Sequence, residues 1–173
     1  PGDLNRLDVG DQGLDLLGRK VLGDQAETLF RFGEIMRSDV ASASGFAVLY
    51  EDAQALSAGL DALVETTQAL ARCGEPARRL ANATVYLDAF GHVVIAWMWL
   101  RQAIVAASAL AAGGGSGLDR SFYDSKLRTC RYFTRYKGDT RWVVAGVDRG
   151  WRWYVHEETP GNEFQSDHHL WQC

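Results

Sequence analysis

The stretch "YLDAFGHVVIAWMWLRQAIVAASALAAGGG", Tyr86 to Gly115, decides how the rest of this chain is read. It is apolar enough to suggest a membrane span, yet it carries Asp88, His92 and Arg101. At about 100° per residue, Asp88, His92, Trp99 and Gln102 fall within roughly 80° of arc, and most of the remaining circumference is aliphatic or aromatic. A lipid-spanning helix would hold Arg101 and Gln102 near its middle, at about 3 kcal/mol for the arginine alone, with no second span to share the charge. The pattern therefore predicts the central helix of a bundle, one narrow stripe in water and the rest against protein. Its small residues, Ala96, Ala103, Ala106 and Ala107, let sibling helices approach closely.

The flanking sequence supplies those siblings. In "DQAETLFRFGEIMRS", Leu29, Phe32 and Met36 recur at three- and four-residue steps while Glu27, Arg31 and Glu34 take the other face, which predicts an amphipathic helix ending by Ser42–Gly45. A second helix runs through "YEDAQALSAGLDALVETTQALARCG", with Leu56, Leu60, Leu63, Val64 and Leu70 as its apolar stripe and Gly74 as its closing glycine. Pro76 opens the third, which the pattern carries without a break through "ARRLANATV" into the central stretch. The segment "GGGSG", Gly113 to Gly117, forms a turn, and "LDRSFYDSKLRTCRYFTRYK" resumes a helix with Phe122, Leu127, Cys130 and Phe133 facing inward. After Lys137 the character changes: "TRWVVAGVDRGWRWYVHEET" is β-branched and aromatic around Asp148-Arg149-Gly150, and reads as a β-hairpin. The expected fold is all-α, an antiparallel helical bundle with an irregular or β-hairpin tail. Its parts are residues 1–22, a turn and helix; 23–137, the bundle; and 138–173, the tail.

Composition excludes several classes of function. With 18 basic and 22 acidic residues, a net charge of −4 provides no footprint for phosphate backbones or an anionic membrane surface. Three scattered cysteines, Cys73, Cys130 and Cys173, lack C-x-x-C spacing and suit a reducing compartment better than a disulfide framework. They read as two core residues and a terminal thiol. His156, His168, His169 and Cys173 match no zinc spacing, and no Glu-x-x-His occurs to build a di-iron bundle, so no metal site is expected. Asp88 and His92, one turn apart, are chemically able to act as an acid/base couple, but such pairs are far more often hydrogen-bonded surface stripes. "GDQG", Gly10 to Gly13, reads as a glycine-flanked turn feeding a helix, where backbone amides can meet a phosphate or flavin. The first residue is proline, and the chain is read as an excerpt or processed product of something longer.

Three stretches, taken together, resemble a known family. "LDLLGRKVL", Leu14 to Leu22, is similar to the "LDLVGRKL" segment of acyl-CoA dehydrogenases. "ANATVYLDAFGHVVIAWMWLRQAIVAA" resembles the long helix of the extra helical C-terminal domain in the methylmercaptopropionyl-CoA dehydrogenase-like subgroup, and "FYDSKLRTCRYF" resembles its following "FYxGKLxTARYF" helix. The resemblance covers roughly Gly10 to Tyr136. It implies the C-terminal portion of an FAD-dependent enzyme that oxidises an acyl-CoA to the 2-enoyl-CoA. It also implies that electrons pass to an electron-transfer flavoprotein, in a cytoplasmic homo-oligomer. Most of the flavin contacts in that family lie upstream, so this chain is expected to be non-catalytic by itself, with Gly10, Asp11, Gln12 and Gly13 nearest the cofactor.

Two departures stand out. The family's "YEGTNGIQ"-like turn, which carries the glutamate that removes the substrate α-proton, corresponds here to "RLDVGDQG", which has no glutamate and whose first carboxylate is Asp8. Asp8 is one methylene shorter and is not assigned that role, so the catalytic residue is unknown. The second departure is the Trp-rich tail, which the family's ending does not resemble. The other reading of the whole chain is a non-catalytic helical interaction or oligomerisation module.

Overall fold

The computed structural model describes residues 9–23, 26–113 and 116–137. The chain begins with α1 (Val9–Leu14), which continues into a π-helical segment, Asp15–Val21. Two amphipathic helices follow, α2 (Glu27–Ser44) and, after a 3₁₀ turn at Ala47–Leu49, α3 (Tyr50–Arg72). Then come the short α4 (Pro76–Leu80), the long α5 (Ala83–Ala111) and α6 (Leu118–Tyr132), whose end winds into a second π-helical turn, Phe133–Lys137. No strand occurs among the described residues, and the expected hairpin and its tryptophans Trp142, Trp151 and Trp153 lie outside them.

Helix α5 is the central element: α1, α2, α3 and α6 all pack on it. Its inner face carries Val93, Ala96, Trp97, Leu100, Ala103 and Ala107, and it meets Leu29, Met36, Leu56, Leu60 and Leu63 from α2 and α3 in one apolar core. Leu17 and Val21, from the π-helical segment, belong to the same core. The helix is long and apolar enough to cross a membrane by length and composition, but 39% of its most apolar window is buried against the other helices. Arg101 is accommodated at the rim. Its guanidinium lies 5.2 Å over the Trp97 ring and 3.4 Å from the Asp39 carboxylate, which also accepts a 2.7 Å hydrogen bond from the Trp97 indole.

Four expectations are corrected. The third helix is not continuous: it stops at Leu80, and Asn82, with φ −122° and ψ 36°, breaks it before α5 begins. The backbone of α1 arrives against the first residues of α5 at this break. Gly74 is not a left-handed closing residue, because α3 ends with Cys73 already extended and its amide bonded to the Leu70 carbonyl. Phe122 points outward, 56% exposed, leaving Leu127 and Phe133 half-buried and Cys130 fully buried as the inner face of α6. Finally, the wet side of α5 is wider than one polar stripe, since Ile95, Met98 and Val105 also face solvent.

One buried polar pair ties α3 to α5. Thr67 Oγ1 donates to the Leu63 carbonyl at 2.7 Å and lies 2.6 Å from the Tyr86 hydroxyl. The single threonine proton is already committed, so Tyr86 is the donor between them. Burial pushes the Tyr86 phenol up to about 12. Tyr86→Phe removes a donor without orphaning the threonine proton, and a loss of about 1 kcal/mol in denaturant unfolding is expected.

Candidate functional site

The four residues singled out as a cofactor edge, Gly10, Asp11, Gln12 and Gly13, all lie inside α1. They are therefore not a turn ahead of a helix. The helical segment starts earlier than the leucine pattern suggests, and Gly13 serves a close approach, not a reversal. A Cβ at Gly13 would stand 2.7 Å from the carbonyl carbon and oxygen of Ala83 and 2.8 Å from the Thr84 amide nitrogen, all of them backbone atoms. This contact seats α1 against the start of α5. Asp11 and Gln12 are exposed, and Gly10 is half-buried and engaged by a neighbour. Asp8 lies outside the described residues.

The segment that follows, "DLLGRKV", winds with five-residue hydrogen bonds, closed by the Leu22 amide on the Leu17 carbonyl at 2.9 Å. Asp15 is paired with Arg19 and also approaches Lys20 at 3.5 Å. The Arg19 hydrogen bond is the main cause that holds its carboxyl below the ordinary aspartate range. These charges sit on the outer side while Leu17 turns inward. Beside Leu17, a small recess is lined by Thr66, Arg79, Asn82 and Tyr86.

On α5, the Asp88–His92 pair does not form an acid/base couple. His92 Nδ1 lies 2.8 Å from the backbone carbonyl of Asp88, not from its carboxylate, and the ring faces Phe133 at 6.3 Å. Gln102 accepts a 3.0 Å hydrogen bond from Lys126, whose ammonium also covers the Trp99 ring at 5.5 Å. The expected stripe residues thus serve to hold α6 on α5. Among the described residues no group of three or more histidine, cysteine or acidic side chains converges as a metal site.

A polar cluster that periodicity does not show lies where the end of α6 meets the start of α3. Asp52 is buried at 4% exposure, beside Cys130 and Thr134. Arg131 donates to the Val48 carbonyl at 2.8 Å, and Arg135 pairs with Glu51 at 2.8 Å. Burial pushes the Cys130 thiol up to about 12, so it stays neutral.

Comparison with known proteins bears on the α2–α6 unit. The family model described as acetyl-CoA dehydrogenase C-terminal like matches residues 32–137, which takes in most of α2 and all of α3 to α6 but not Gly10–Gly13. The 3-methylmercaptopropionyl-CoA dehydrogenase of Ruegeria pomeroyi is 32% identical over 132 residues, 72% of this chain and 21% of that protein. The chain thus spans about a fifth of the length of this curated relative. No solved structure matches. Of the three stretches that carry the resemblance, the long helix and "FYDSKLRTCRYF" fall within the matched region and "LDLLGRKVL" lies before it, and the chain belongs to the acetyl-CoA dehydrogenase C-terminal-like family.

Proposed function

We propose that this chain is the C-terminal portion of a flavin-dependent acyl-CoA dehydrogenase, oxidising an acyl-CoA thioester to the 2-enoyl-CoA in the full-length enzyme and inactive by itself. The observation that carries the reading is the family match over 32–137, which takes in the α5–α6 pair. By the same resemblance the whole enzyme would use FAD, pass electrons to an electron-transfer flavoprotein and work in the cytoplasm, without a membrane span or nucleic acid. Residues 1–22 would then be the end of the dehydrogenase's own helical region, 23–137 the appended bundle and 138–173 a tail.

The described residues do not make a flavin cradle by themselves. The face of Gly13 is filled by α5 backbone, and Asp11 and Gln12 are outward-facing side chains with no enclosing wall. Gly10–Gly13 is accordingly proposed as an edge of the cofactor site, with Asp11 and Gln12 facing outward and Gly13 seating the helix that carries them. The exposed Ile95, Met98 and Val105 on α5 support contact with another subunit or with the rest of the enzyme. The test is purification of this chain. It is expected to emerge colourless, to give no flavin on denaturation and to show no acyl-CoA oxidation with an artificial electron acceptor. A stoichiometric flavin would overturn the proposal.

A further inference from the structure

We propose that residues 138–173 fold back along the α5–α6 edge of their own bundle, with Trp142 and Val144 covering Ile95, Met98 and Val105 on the outer face of α5. This rests on the reading of that face as a contact surface and commits it to one occupant. Although α5 is apolar enough to cross a membrane, only 39% of its most apolar window is buried by the other helices. At about 100° per residue, Ile95, Met98 and Val105 fall within roughly 80° of arc, and all three are exposed. This strip has a cation on each side. Arg101 borders it toward α2, where it pairs with Asp39. Lys126 borders it toward α6, held by Gln102 and lying over the rings of Trp99 and of the outward-pointing Phe122.

The chain passes beyond the described residues at one end of this strip. Helix α6 runs antiparallel to α5: Lys126 meets Gln102, and seven residues later Phe133 lies 6.3 Å from His92. The turn Phe133–Lys137 continues in the same direction, so the chain leaves Lys137 at the Ile95 end. By subtraction, 36 residues follow it. The ten residues of helix from Ile95 to Val105 span about 15 Å, and the approach from the exit adds about 10 Å. Ten residues in extended form reach about 33 Å, so 138–147 are long enough to run the whole strip, and Trp142 and Val144, two apart, then share one side of the run. Charge favours this segment over a second copy. Residues 138–173 hold six acidic and three basic side chains, a net charge of −3, whereas Leu118–Lys137 holds six basic and two acidic, a net charge of +4. Four of those acids lie between Glu157 and Asp167 with no lysine or arginine among them. A second copy presenting the same strip would instead bring Arg101 and Lys126 against identical cations, and like charges in contact disfavour association.

The test places a nitroxide on Ser108→Cys, an exposed position one turn past Val105, in the 173-residue chain carrying Cys173→Ser. Cys73 and Cys130 are buried and stay unlabelled. Tryptophan indole signals are followed by NMR in isotope-enriched protein, with Trp97 and Trp99 of the same helix as positive controls. The Trp142 signal should be broadened by the nitroxide. Met98→Asp, at an exposed position, should restore it, and Met98→Leu should leave it broadened. A tethered tail that never docks would be broadened to the same extent in all three, so broadening that persists in Met98→Asp overturns the proposal, as does an unbroadened Trp142 in the parent. Should Met98→Asp fail to fold, Val105→Asp takes its place with the same two outcomes. Mixing nitroxide-bearing, unenriched chain with enriched chain free of nitroxide should leave Trp142 sharp. Broadening in that mixture would give the strip to another subunit, overturning the tail while leaving the contact reading in place.

Discussion

Ala103→Arg is expected to unfold the bundle, whereas His92→Ala should leave it standing. Ala103 is completely buried on the inner face of α5, and a guanidinium there would have no room to reach water and no acid to meet. An unpaired buried charge costs about 3–5 kcal/mol, before any cost of forcing helices apart. A domain of this size has roughly 5–15 kcal/mol in total. His92 lies eleven residues earlier in the same helix, by subtraction of residue numbers, and is half-exposed, with one contact to the Asp88 backbone and one to the Phe133 ring. Its loss should cost no more than about 1 kcal/mol. Circular dichroism melts of the two variants distinguish them directly. Equal melting temperatures would show that the facing of α5 is wrong.

Gly13→Val has the next largest effect, and it is local. The new Cβ would overlap the Ala83 carbonyl and the Thr84 amide, which are backbone atoms at the start of a 29-residue helix and cannot give way. Helix α1 must therefore lift off, taking Leu17 and Val21 out of the core, at about 2–5 kcal/mol by analogy with the loss of large core side chains. Limited proteolysis should then cut between residues 9 and 21 while α5 and α6 remain protected. Gly18→Ala is the matched control, because its Cβ meets only the end of the Leu80 side chain, at 3.3 Å. A change within about 1 kcal/mol is expected for it. Protection of α1 in Gly13→Val equal to that of the parent chain would mean that α1 is not seated on α5.

The long elements were legible because each has a whole apolar face. Leu29 and Met36, then Leu56, Leu60 and Leu63, lie where a period of 3.6 places them. What escaped the sequence depends on contacts between distant parts of the chain. The break at Asn82 has no proline or glycine to mark it. Gly13 looks like a turn glycine because sequence cannot show that another backbone lies 2.7 Å from where its Cβ would stand. Asp52 sits beside Glu51 in an ordinary acidic first turn. It is buried where the end of α6 packs against α3, far along the chain. Phe122 reads as part of the inward pattern of α6 with Leu127, Cys130 and Phe133, although an exposed aromatic is common on protein surfaces. The candidate site is legible only as chemistry: the sequence displays glycine and acidic residue types but not their packing role.

The alanines of α5 also set how this domain can change. Ala96, Ala103, Ala106 and Ala107 are all buried, in a helix whose neighbours are already at contact distance. A leucine codon can mutate by one base to isoleucine, valine, methionine or phenylalanine, so an aliphatic core can drift among residues of similar bulk. An alanine codon has no such neighbourhood. Its single-base changes lead to valine, threonine, serine, glycine, proline, aspartate or glutamate. All but glycine add atoms, two add a charge, and glycine and proline weaken the helix. A saturation scan should therefore find these four positions intolerant in a direction opposite to that of Leu60 or Leu100: gain of volume is the lethal change in one set, loss of volume in the other.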